Sequence, residues 1–129
     1  MKILIVDDSA SDRKRLKDGL ISSGYNGSTI LLAEDALRAR EILIRESREI
    51  ACVVVDYHMP GLSGDNFIRF VRKFYPGIKT VLVGVEKDVL GAGNAAGAHA
   101  AVQKIPQNSV AIVNAVNHLI SFHSTTVHT

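Results

Sequence analysis

The chain has one cysteine, no tryptophan and only 5% aromatic residues in its 129 positions. Cys52 has no second cysteine to pair with, and it stands inside the apolar run 52–55, where a thiol behaves as a small buried hydrophobe. No apolar run approaches the roughly 18 residues of a membrane span, and no signal-type segment precedes the first apolar run. These absences predict a cytoplasmic protein that does not enter a membrane. A formal net charge of +2 is too small to argue for nucleic-acid binding. Charge is scarcest toward the end, where Lys104 is the only Asp, Glu, Lys or Arg from Val89 to Thr129. Solvated helices ordinarily carry more charge, so this stretch predicts a bland surface with a low desolvation cost, suited to protein contact. His99, His118, His123 and His128 show no zinc-ligand spacing and read as surface or tail residues.

Apolar residues, by contrast, make up 47% of the chain, enough for one domain with a packed core. Strand-like runs at 2–6, 29–33, 51–56, 79–84 and 99–103 alternate with helix-period segments at 11–22, 35–47, 65–74, 87–96 and 108–121. Ser9 or Ser11 is placed to cap the first helix. The run 51–56 is almost wholly apolar, as a parallel strand covered on both faces should be. Right-handed crossovers between such strands give a doubly wound α/β fold with helices on both faces of a parallel sheet. The domain is expected to span 1–122, followed by a frayed polar tail at 123–129.

The charged residues that interrupt this pattern fall at strand ends. Asp7 and Asp8 close the run 3–6, Asp56 closes 52–55, and Lys104 follows 100–103. In a parallel sheet those ends meet along one edge, where ligands bind at the point of reversed strand order. Carboxylates pressed together repel, which raises a pKa unless a cation joins them. The arrangement points to a hard-metal site beside a carboxylate nucleophile, with a lysine to hold a transferred anion.

With Ile3-Leu4-Ile5-Val6-Asp7-Asp8, Val55-Asp56-Tyr57-His58-Met59-Pro60-Gly61-Leu62-Ser63-Gly64, Gly97-Ala98 and Lys104 in register, essentially the whole chain resembles the receiver domain of two-component response regulators. The resemblance implies a flavodoxin-like five-stranded parallel sheet of order 2-1-3-4-5 with five helices. It implies that Asp56 accepts a phosphoryl group from a histidine kinase or phosphotransfer protein, using Mg²⁺. Asp8, Asp56 and the backbone carbonyl of His58 would ligate the ion directly, Asp7 through water, and Lys104 would pair with phosphoryl oxygens. His58 and Glu86 take the positions that tune the lifetime of the phosphoryl group. The basic cluster Arg13–Lys17 lies on the helix that family members use to meet the kinase. A homodimer or an unnamed downstream protein would use the weakly charged 89–122 face.

The chain also departs from the family. Gly84 stands where the resemblance calls for a Thr or Ser hydroxyl, and Ala101 where it calls for Tyr or Phe, so neither half of the usual side-chain switch is present. Ile105 separates Lys104 from Pro106. The backbone N–H of Val85 remains available to a phosphoryl oxygen, and the 84–91 loop is expected to sense it by backbone movement. The leading reading is therefore a stand-alone signalling receiver, with no enzymatic turnover beyond its own phosphorylation and dephosphorylation. The alternative is a phosphorylation-independent binding or dimerisation module. A haloacid-dehalogenase-type phosphatase would want an Asp where His58 stands, and a flavodoxin phosphate loop would not begin Asp7-Asp8-Ser9.

Overall fold

Five apolar runs become five parallel strands because each is covered on both faces. In a computed structural model, β1 (Lys2–Val6), β2 (Ile30–Ala33), β3 (Ile50–Asp56), β4 (Lys79–Gly84) and β5 (Ala100–Gln103) form one sheet of order β2-β1-β3-β4-β5. The structure describes the backbone of residues 1–128 and the side chains of residues 1–120. The helices are α1 (Ala10–Ser22), α2 (Ala36–Glu46), α3 (Gly64–Phe74), α4 (Asp88–Ala96) and α5 (Val110–His128). This is the doubly wound, flavodoxin-like arrangement expected. The alternation of β1 is clear: Leu4 and Val6 enter the core under α2, α3 and α4, whereas Ile3 and Ile5 enter the core under α1 and α5. No helix among the described residues is long and apolar enough to cross a membrane.

Local chemistry sets the boundaries. Ser9 caps α1, its hydroxyl accepting from the Asp12 N–H at 3.2 Å. Short 3-10 turns at Gly27–Thr29 and Ser47–Glu49 take residues that the sequence assigned to the second strand and second helix. The last helix begins at Val110 rather than 108. Gln107 adopts a left-handed backbone with φ 61°, and the Asn108 side chain instead accepts from the Val110 N–H at 2.9 Å. That helix also continues past the expected end at 121, to His128; the side chains of the expected polar tail 123–129 lie outside the described residues.

One helix, α4, sits unusually close to the sheet. A Cβ built on Gly93 of α4 would lie 2.5 Å from the Ala101 Cβ, so only glycine lets α4 settle there. In the sequence Gly93 reads merely as a residue that weakens a helix. His99 is a second correction. It is half-buried and serves as a latch, its Nδ1 accepting from the Thr80 N–H at 2.9 Å while its own N–H donates to the Thr80 carbonyl at 2.9 Å. Because Nδ1 accepts, the neutral ring carries its proton on Nε2. Arg72, 3.3 Å from Nε2, is then a nearby cation rather than a hydrogen-bond donor to it. Burial first, then the Arg72 charge, hold the His99 pKa below the usual histidine value.

Candidate functional site

The strand register brings the charged residues to one edge. Val6 pairs with Ala33 on one side and Val55 on the other, Asp56 pairs with Val83, and Gly84 pairs with Gln103. The ladder runs one residue further through Asp7 N–H to the Ala33 carbonyl at 3.1 Å and Lys104 N–H to the Gly84 carbonyl at 2.7 Å. Asp7, Asp56 and Lys104 are thus fixed by backbone bonds at the edge where β1 and β3 reverse the strand order.

Asp7 and Asp56 are buried and Asp8 is exposed; a carboxylate oxygen from each lies within 4.8 Å of the others. Lys104 enters this group with its side chain 15% exposed, its Nζ 3.3 Å from Asp7 Oδ2 and 3.7 Å from Asp56 Oδ1. Burial, followed by the charge on Asp7, pushes the Asp56 pKa up to about 6, with Lys104 opposing. Burial likewise raises Asp7, against the Ser9 N–H and Lys104. For Lys104 burial works against its charge, but a hydrogen bond to Asp12 and the charges on Asp7 and Asp56 outweigh it and raise the pKa. One lysine does not neutralise three carboxylates. The donor set is all oxygen, which suits a hard divalent cation such as Mg²⁺ better than a soft one.

The loop after Asp56 is held tightly. A Cβ on Gly64 would fall 2.1 Å from the Asp56 carbonyl oxygen, and the Gly64 N–H donates to the Tyr57 carbonyl at 2.9 Å. His58 is exposed and stacks on Tyr57 with ring centroids 4.6 Å apart. Glu86 is also exposed, and no hydrogen bond or ion pair links it to His58 among the described residues. Gly84 is buried: a Cβ there would meet the Val89 side chain at 3.1 Å and the Tyr57 Cβ at 3.3 Å. Val85 is exposed beside it, its carbonyl accepting from the Gln103 side chain at 3.0 Å. Ala101 lies under Gly93.

Sequence reasoning missed Asp12. Its Oδ2 is 2.8 Å from Lys104 Nζ, the shortest of the lysine's carboxylate contacts, and its Oδ1 is 3.1 Å from Arg15 Nη1. The Lys104 hydrogen bond holds its pKa below the usual carboxylate range. In the sequence an Asp in a first helical turn signals only favourable helix-end electrostatics. The basic cluster is also less free than it looks: Arg13 donates to the Asp7 carbonyl at 2.7 Å, Lys14 pairs with Asp18 at 2.8 Å, and Arg15 pairs with Asp12.

The family model of the response regulator receiver domain matches residues 3–117. A Campylobacter jejuni chemotaxis protein CheY homolog is 30% identical over 88 residues, which is 67% of this chain and 65% of that protein. A Sulfurimonas denitrificans protein-glutamate methylesterase/protein-glutamine glutaminase is 34% identical over 59% of this chain, a match spanning 21% of that longer protein. Among solved structures, the Thermotoga maritima response regulator protein TrrA in complex with Mg(2+)-BeF superposes with a TM-score of 0.79 at 29% identity, covering 93% of this chain and all of that one. A receiver domain protein from Clostridium thermocellum, 24% identical, shares the fold with a TM-score of 0.82 over 97% of this chain and 98% of its own.

Proposed function

Since the chain belongs to the response regulator receiver family, we propose that Asp56 is its phosphoacceptor, loaded from a phosphohistidine of a kinase or phosphotransfer protein. The observation that carries this is the convergence of Asp7, Asp8, Asp56 and Lys104 on one sheet edge. An Asp56 carboxylate oxygen forms the bond to phosphorus as the P–N bond of the donor breaks, and that electron pair leaves with the imidazole nitrogen. Asp7, Asp8 and Asp56, with the His58 carbonyl, are the groups that would hold Mg²⁺; the ion supplies neutralisation of charge on the transferred oxygens.

The remaining work belongs to the protein. Lys104 presents a point charge to the phosphoryl group. The buried setting of Asp56 makes its charge responsive to neighbours. Gly64 fixes the acceptor loop against the backbone of Asp56. The module signals by changing its protein contacts, with His58 and Glu86 at the site mouth as residues that set phosphoryl lifetime. Its weakly charged 89–122 face is offered to a downstream protein or a second copy.

Intact mass after incubation with Mg²⁺ and acetyl phosphate tests the reading. The expected result is one phosphoryl adduct in the wild type and none in Asp56→Asn. Equal adducts in both would overturn it.

A further inference from the structure

We propose that Asp12 competes with the acceptor for Lys104, so that phosphorylation of Asp56 draws the lysine off Asp12 and is signalled through α1. This rests on the phosphoacceptor reading above and adds where the signal goes.

Lys104 Nζ lies 2.8 Å from Asp12, 3.3 Å from Asp7 and 3.7 Å from Asp56. The lysine is thus parked toward α1 and must travel to reach a phosphoryl group on Asp56. That group would bring about −1.5 to −2 of charge, more than the single charge on Asp12. Asp12 would keep only Arg15, at 3.1 Å, and the first turn of α1 would lose its tie to Lys104 at the end of β5.

The surroundings permit this movement. Asp12, Arg15 and Lys104 line a cavity of about 230 Å³ together with Leu16 and Ile112, so both carboxylate and ammonium have room to swing. The opposite side of the site has no such room. Gly84 is closed over by Val89, and Ala101 by Gly93, and neither carries a side chain that can rotate. The polar links from the acceptor group to a neighbouring helix lead to α1: Lys104 to Asp12, the Ser9 N–H to Asp7 Oδ1 at 2.9 Å, and Arg13 to the Asp7 carbonyl at 2.7 Å. Asp12 is a positioning residue in this scheme, acting on phosphoryl transfer through Lys104.

The test is the amide spectrum of the full chain titrated with Mg²⁺ and beryllofluoride, together with the rate of adduct formation from acetyl phosphate. Shifts at Asp56 and Tyr57 should be accompanied by shifts across residues 10–16 that exceed those across 88–96. In Asp12→Asn the Asp56 and Tyr57 shifts should persist while the 10–16 shifts fall by at least about half. Adduct formation should speed up by about threefold to tenfold, the scale of one part-exposed charged hydrogen bond. Asp12→Glu should return the rate toward wild type, which a merely structural role would not explain. Still residues 10–16 beside a shifted Asp56, or an unchanged rate in Asp12→Asn, would overturn the relay and leave the acceptor standing. No shift at Asp56 and no adduct would overturn both.

Discussion

On either side of Asp56 the protein is built from different materials. Toward α1 the neighbours are charged, long and loosely seated: Lys104, Asp12 and Arg15 around a cavity of about 230 Å³. Toward α4 they are small and in contact, with Val89 on Gly84 and Gly93 on Ala101. Long charged side chains respond to a new charge by moving, whereas a close-packed interface of Gly, Ala and Val has one arrangement. On the reading proposed above, a site with no side chain able to rotate on one side signals through the other, where a charge can be shared.

The comparison breaks first if α4 proves loosely packed. Gly93→Val inserts side-chain carbons where even a Cβ lies 2.5 Å from Ala101. It is expected to cost about 2–4 kcal/mol in urea unfolding; a loss under about 0.5 kcal/mol would show that α4 shifts easily.

Next in size is the cost of ionising buried Asp56 beside Asp7. Asp56 has a folded pKa of about 6 against an ordinary 3.8. The native state therefore holds a proton that the unfolded state releases, and stability from this group is present at acid pH and declines as pH rises from about 4 to about 6. Without divalent cations, Asp56→Asn is expected to gain roughly 2–3 kcal/mol at pH 7 and to flatten that decline. A variant less stable than wild type would mean that Lys104 already compensates the charge in full.

The latch between β4 and β5 sharpens the rigid side. His99→Ala leaves the buried Thr80 N–H without its acceptor, and a loss of about 1–3 kcal/mol is expected from chemical unfolding at neutral pH. The His99 pKa is depressed on folding, so this contribution is present above the ordinary histidine pKa and is lost as pH falls below it. A loss that persists undiminished at low pH would count against the assignment of Nδ1 as acceptor. The smallest effect belongs to Arg15→Ala, expected within about 0.5 kcal/mol of wild type because its pair with Asp12 is part-exposed.

The strands were legible in the amino-acid sequence because a sheet covered on both faces needs uninterrupted apolar runs, and their ends exposed Asp7, Asp8, Asp56 and Lys104 as misfits in such runs. What escaped was relational. Asp12 and Lys104 are separated by 92 residues, and nothing in either local segment names the other. His99 looked like a surface residue because a ring that accepts from a backbone N–H on a neighbouring strand leaves no local pattern. Gly93 looked only like a residue that weakens a helix because close approach belongs to the partner surface, here Ala101. The start of α5 was misplaced because a left-handed Gln107 is not a conformation that its side chain advertises.

The most direct measurement locates the phosphoryl group. After acetyl phosphate and Mg²⁺, borohydride reduction converts an aspartyl phosphate to homoserine, which peptide mass mapping can place. Homoserine is expected at position 56, and none once Mg²⁺ is chelated. Homoserine at position 7 or 8, or none with Mg²⁺ present, would contradict it.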